Sequence, residues 1–269
     1  MPAHTVISSN QNPRIRDVMR LRERRHRDRT GEMLIEGVRE LGCAVKNSYV
    51  PHTIYFCPQY FSSVNEDTIL ATARDAGADI VETTAAVFAK LSYRDRPDGL
   101  LGVGKRLVTG FDDLALSVPA WLLVAESIEK PGNLGTMLRS ADATGVDAVV
   151  VCDRKTDVNN PNVVRASIGT LFCVPVIEAE TDATLDFIRQ HGIQIVAATP
   201  SAGKPQWDCD LRRPVALVVG SEDQGLSDRW LDVADIRVSI PMHGKADSLN
   251  VATAATLLMY EALRQRSAS

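Results

Sequence analysis

Asn133 and Arg139 stand six residues apart in the stretch EKPGNLGTMLRSADATG (Glu129 to Gly145), which has the glycines of a ligand-cradling turn. A carboxamide can both donate and accept, and a guanidinium is a fork of donors that suits anionic oxygens. Glycines surround the pair, but the pattern is neither G-x-G-x-x-G nor G-x-x-x-x-G-K-[ST]. Two later stretches add to the set. GSEDQGLS (Gly220 to Ser227) offers Glu222 between two glycines, and IPMHGKADSLN (Ile240 to Asn250) offers Ser248 and Asn250. Gly220 permits a close approach, while Ile240, Met242 and Leu249 offer apolar contact to a flat ligand. Each stretch also has a purely structural explanation. Asn133 could cap a helix, Arg139 could pair with a surface acid, and Glu222 could be solvated beside two turn glycines. Ser248 is a plausible N-cap for the last helix, with Asp247 favourable to its dipole.

The elements around these residues predict where they sit. WLLVA (Trp121 to Ala125) reads as a buried parallel strand ahead of the first stretch. Leu134, Met137, Leu138 and Ala141 then repeat at helical spacing, and Gly145 is placed to stop that helix. VALVV precedes the second stretch, and VATAATLLMYEALRQR reads as a helix after the third. AVVVCD, IQIVAAT and RVSIPM are further apolar strands with helical segments between several of them. Such a pattern predicts a mostly parallel sheet covered on both faces, with loops converging at the carboxyl ends of the strands. Three loops, each after a buried strand, would then share one site.

The first hundred residues predict a separate small α/β domain. RIRDVMRLRERR reads as a helix, EMLIEG as a strand, Val38 to Lys46 as a helix and HTIYFC as a strand. DTILATARDAG continues as a helix, DIVETT as a strand leading to a Thr84-capped helix, and GLLGVGKR as a last strand. Tyr55, Phe56, Tyr60 and Phe61 invite a base-stacking reading, but Tyr55 and Phe56 fall in a strand, which favours core packing. The expected organisation is a domain over residues 1–106, a linker over 107–119 and a second domain over 120–269, with a frayed tail QRSAS.

Composition narrows the function classes. The chain has 269 residues, long enough for two modest domains, and no apolar run approaches a membrane span. MPAHTVISSN lacks the layout of a secretory signal. Cys43, Cys57, Cys152, Cys173 and Cys209 form no C-x-x-C pair and read as reduced, mostly buried thiols of a cytoplasmic protein, without a metal site. Net charge is −4, yet Arg14 to Arg29 carries eight arginines against three acids, a local +5 that leaves −9 elsewhere. A stripe of that kind either solvates a surface helix or binds phosphates.

PGNLGTMLRSADATG, GSEDQGLS and IPMHGKADSLNVATAATLLMYE resemble the three ordered motifs of the SpoU (TrmH) family, ribose 2′-O-methyltransferases of the SPOUT superfamily that use S-adenosylmethionine on RNA. MLIEGVREL resembles the start of that family's N-terminal RNA-binding domain, and NNPNVVRASIGTLFCVPV its mid-domain segment. Lys130 departs from the small or acidic residue of many members, and GSE stands for the commoner GNE. The resemblance implies an α/β fold whose C-terminal part is tied in a trefoil knot, a homodimer with residues of both subunits around the site, and no metal. It assigns Arg139, Asn133, Glu222, Ser248 and Asn250 to catalysis, and Thr199, Gly220, Ile240, Met242 and Leu249 to the cofactor. Arg14, Arg20, Arg24, Arg27 and Arg165 are the expected RNA contacts. Family proposals cast the arginine as the base. A guanidinium stays protonated in proteins, so it can instead bind phosphate and stabilise a developing alkoxide. The N-terminal domain resembles that of family members modifying large-subunit ribosomal RNA, which implies ribosomal RNA over tRNA. A tRNA methyltransferase and a non-catalytic RNA-binding or ribosome-assembly factor retaining the fold are the alternatives. A nicotinamide-dependent dehydrogenase lacks its glycine fingerprint here.

Overall fold

Apolar runs become strands, and the helical spacings between them become the helices that cover their faces. The computed structural model describes residues 6–267. The chain divides into two units, one holding the residues up to Leu107 with Asn159–Cys173, the other Val108–Val158 with Val174 onward.

The first unit contains α1 (Pro13–Arg20), α2 (Arg24–Thr30), β1 (Glu32–Glu36), α3 (Val38–Lys46), β2 (Thr53–Phe56), α4 (Asn65–Asp75), β3 (Asp79–Glu82), α5 (Ala85–Leu91) and β4 (Leu100–Lys105). Its sheet runs β1–β4–β2–β3, antiparallel except where β2 meets β3. Ile15, Val18, Leu34, Tyr55, Phe88 and Leu101 form its core. Tyr55 and Phe56 are buried, so the strand explanation of these aromatics holds. The arginine-rich segment is two helices where the spacing predicts one. Amides of Leu21, Arg22 and Glu23 bond three residues back, which tightens and ends α1. Thr84 precedes α5 without a side-chain capping bond.

The second unit begins with β5 (Trp121–Glu126), α6 (Pro131–Thr144) and β6 (Ala148–Cys152). The chain then supplies α7 (Pro161–Ser167) and the short turn Thr170–Phe172 to the first unit, where α7 packs against β1. It resumes the second unit with β7 (Val176–Ala179), α8 (Thr181–Gln190), β8 (Gln194–Ala198), β9 (Val215–Val219), α9 (Asp228–Val233), β10 (Ile236–Val238) and α10 (Val251–Ser267). All pairings are parallel, in the order β10–β8–β9–β5–β6–β7. Every residue of β5, β6 and β9 is buried, as a sheet covered on both faces requires. β7 adds to the predicted strands, and β10 is shorter than RVSIPM because only three residues pair before Pro241.

Two expectations at the edges of this unit fail for packing reasons. Phe111 stacks on Phe187 at 4.4 Å, and Leu114 and Leu116 pack on the core, so most of the expected linker belongs to the second unit. The QRSAS tail is helical through Ser267, and the Arg266 guanidinium donates to the carbonyls of Pro119, Ala120, Leu211 and Arg213 over the Trp121 ring. Ala268 and Ser269 lie outside the described residues. Among the described residues no helix is long and apolar enough to cross a membrane.

Candidate active site

Strand order locates the site. From β5 the chain moves outward through β6 and β7, then reappears on the other side as β8, with β9 inserted beside β5. The switch point therefore lies between β5 and β9, and open parallel sheets bind ligands beyond the carboxyl ends of the strands at such a point. Here the first and second loops emerge side by side.

Glu222 ties them together. Its carboxylate accepts from the backbone amides of Glu129 at 3.0 Å and Lys130 at 3.1 Å, and from Asn133 Nδ2 at 2.6 Å. Lys130 is the N-cap of α6 and makes no side-chain capping bond, so a carboxylate from another loop takes over that task. Partial burial alone would push the Glu222 carboxyl up. The donated hydrogen bonds outweigh it and hold the group below the usual carboxylate range. Asn133 then passes the connection on, accepting at Oδ1 from Asn250 Nδ2 at 3.0 Å. Asn250 Oδ1 in turn accepts from the amides of Ala252 at 3.0 Å and Thr253 at 3.3 Å, capping α10. One chain of hydrogen bonds, Glu222–Asn133–Asn250, joins all three loops.

Two structural readings change accordingly. Asn250, not Ser248, is the N-cap of the last helix; Ser248 is exposed on the loop before it. Asn133 does not cap α6 but lies inside its first turn, with its amide directed to Glu222. Arg139 sits further along α6, about 9 Å up the axis at 1.5 Å per residue and about a third of a turn around it. It is exposed, and among the described residues its guanidinium makes no hydrogen bond or ion pair. The chain thus brings Asn133, Glu222 and Asn250 together and leaves Arg139 and Ser248 outside that network.

Gly220 needs its missing side chain for the protein's own sake. A Cβ there would lie 2.1 Å from the Gly225 carbonyl carbon and 2.2 Å from the Leu226 nitrogen. The loop folds back because Ser221 and Gly225 exchange backbone bonds of 3.0 and 3.1 Å, with Gly225 at φ 69. Sequence reasoning missed the residue that anchors this loop. Glu126, buried at the end of β5, accepts from the Ser227 amide at 2.8 Å and its hydroxyl at 2.6 Å. An acid closing an otherwise apolar strand was the available signal. Lys155 was also missed; its Nζ reaches Glu129 at 2.7 Å, beside the start of α6.

The third loop carries what an adenosyl group requires. Ile240, Met242 and Leu249 are half-buried. Among the described residues the backbone N–H and C=O groups of Ile240 to Leu249 make no hydrogen bond within the protein, so they are free to pair with a base edge. Thr199 follows β8, half-buried, with its hydroxyl 3.1 Å from that of Ser201. These donors and apolar surfaces fit S-adenosylmethionine.

The arginines of the first unit divide into two groups. Arg27 is 1% exposed and donates to the carbonyls of Leu21 and Arg22 at 2.8 Å, closing the end of α1. It is therefore withdrawn from the expected RNA contacts. Arg14 pairs with Asp79 and lies over the Tyr55 ring at 5.7 Å. Arg20 and Arg24 are exposed and make surface pairs to Asp17 at 3.1 Å and Asp28 at 3.5 Å. Arg165, expected in the catalytic half, is exposed on α7 in the first unit.

Two family matches cover separate stretches of the chain. Residues 120–260 match the SpoU rRNA Methylase family, and residues 12–102 match the MRM3-like substrate binding domain. The chain is 32% identical over 91% of its length, and 87% of the relative's, to the 23S rRNA (uridine(2479)-2'-O)-methyltransferase of Streptomyces viridochromogenes. A crystal structure of an RNA 2'-O ribose methyltransferase superposes with a TM-score of 0.85 at 41% identity, covering 98% of this chain and all of that one. The AdoMet-bound rRNA methyltransferase of Sinorhizobium meliloti superposes at 0.88 with 28% identity, covering 97% of each chain.

Proposed function

The chain belongs to the SpoU rRNA Methylase family, and from that membership we propose that it methylates a ribose 2′-hydroxyl of ribosomal RNA using S-adenosylmethionine. The observation that carries the proposal is the Glu222–Asn133–Asn250 chain, which joins three loops at the switch point of a parallel sheet. When bound, S-adenosylmethionine supplies a methyl group on a sulfonium, already activated for in-line displacement. The protein's work is then to orient two reactants and to accommodate charge.

Thr199, Ile240, Met242 and Leu249 hold the cofactor, the last three by apolar contact and the loop's free backbone groups by pairing with the base edge. Gly220 contributes by letting the second loop fold back on itself. Asn133 and Asn250 fix loop geometry and face the ribose. Glu222 holds Asn133 in place and caps α6. Arg139, exposed and uncommitted, takes the adjacent phosphate and stabilises the alkoxide as the hydroxyl proton leaves to phosphate or water. Ser248 lies on the loop that borders both ligands.

Three finer features belong to the same proposal. The family likeness and the insertion of β9 between β8 and β5 support a C-terminal trefoil knot. Leu257 and Tyr260, 40% and 48% exposed on α10, support a homodimer with residues of both subunits at the site. The substrate-binding match over residues 12–102 supports an RNA-binding role for the first unit, with Arg20, Arg24 and Arg165 presented to solvent. Transfer RNA is the less favoured substrate, since the relatives named above whose names carry a substrate act on rRNA. Calorimetric titration with S-adenosylmethionine tests the cofactor assignment. Saturable binding that Leu249→Asp abolishes is expected; no binding to the intact protein would leave a non-catalytic RNA binder as the better reading.

A further inference from the structure

Two thiols of the first unit face each other. Cys43 Sγ in the last turn of α3 lies 3.0 Å from Cys173 Sγ, which closes the turn Thr170–Phe172. That separation is about 1 Å longer than the S–S bond of a disulfide. Both cysteines are half-buried, whereas Cys57, Cys152 and Cys209 are buried. The approach is built into the backbone. Gly169 sits at φ 92, and a Cβ there would lie 2.6 Å from Cys43 Cβ, so only glycine lets this turn rest on α3. Ile168 before it holds φ 49, a conformation that disfavours a β-branched residue. The Phe172 ring packs on Tyr49 at 4.8 Å and secures the far side.

We propose that Cys43 and Cys173 are an oxidation site that forms an intramolecular disulfide when the protein meets a hydroperoxide. Asn47 sets the order of events. Its Nδ2 donates to the Cys43 carbonyl at 2.8 Å and lies 3.4 Å from Cys173 Sγ, nearer than the 3.8 Å to Cys43 Sγ. Cys173 thiolate attacks the peroxide oxygen, the O–O bond breaks, and sulfenic acid forms as hydroxide leaves and takes up the proton of the original thiol. Cys43 sulfur then attacks the sulfenic sulfur, the S–O bond breaks, and water departs with the Cys43 proton. Two thiols and one hydrogen peroxide become one disulfide and two waters. The bond staples the segment Asn159–Cys173, which carries Arg165, onto α3.

Hydrogen peroxide treatment of the full chain, read by intact mass and non-reducing peptide mapping, tests this. The expected result is loss of two hydrogen masses, one linked peptide pair containing Cys43 and Cys173, and reversal by dithiothreitol. Hydrogen exchange in residues 161–173 should slow in the oxidised form. Cys43→Ser and Cys173→Ser should each prevent the mass loss while keeping the reduced protein's melting temperature within a few degrees. Added oxygen at either cysteine without a cross-link, a linkage through Cys57, Cys152 or Cys209, or a link between two chains would overturn the proposal.

Discussion

At the scale of single residues, the network around Glu222 separates groups that build the site from groups that act in it. Arg139 touches none of the network, so Arg139→Ala should leave cofactor affinity and melting temperature unchanged. Turnover should fall by about 10²–10³, the magnitude typical of losing one charge-stabilising donor. Wild-type turnover in that variant would remove Arg139 from the chemistry. Glu222 makes the opposite prediction. Its folded carboxyl is held below the ordinary range, so its stabilising contribution is present above that range and is lost as pH falls through the depressed value. The melting-temperature difference between wild type and Glu222→Gln should therefore be largest near neutral pH and shrink in acid. A difference that grew on acidification would contradict the assigned sign.

At the scale of elements, much was legible because local rules decide it. Val38–Lys46 is the helix its spacing predicts, and Gly145 ends α6 at φ 76 because a left-handed residue closes a helix there. What was illegible depends on choices between neighbours or on direction. Ser248 and Asn250 are both good capping residues two positions apart, and only the start of α10 at Val251 decides for Asn250. Asn250→Ala should cost about 1 kcal/mol of stability, while Ser248→Ala should cost little. Equal losses in thermal denaturation would contradict the cap. Arg27 looks in sequence like its exposed neighbours, because charge pattern does not show which side chain turns inward. Arg27→Ala should destabilise by about 1–3 kcal/mol through unpaired carbonyls at the end of α1. Its effect on RNA affinity should be small once the variant is folded. β7 escaped notice because VIEA is only four residues long and Glu178 interrupts its apolar run.

At the scale of the whole molecule, the sequence carried the three-loop site further than it carried the division of the chain. The first two loops follow the buried strands β5 and β9, the third follows the partly exposed edge strand β10, and parallel strands deliver their loops to one edge. No such rule shows that Asn159–Cys173 leaves the second unit for the first, since adjacency in sequence says nothing about which core a short helix joins. Net charge was equally uninformative beside its distribution. If Arg20 and Arg24 bind RNA phosphates, reversing both to Glu should weaken binding at every sequence. It should also flatten the dependence on salt by roughly one unit for each phosphate released. An unchanged salt slope would return those arginines to the role of solvated surface.

The most direct test is transfer of label from S-adenosylmethionine to unmodified ribosomal RNA and, in parallel, to unmodified tRNA, with the product mapped to a nucleotide. Label at one 2′-O-methylated ribose of ribosomal RNA is expected. Label confined to tRNA, or label on a base, would contradict the proposed reaction.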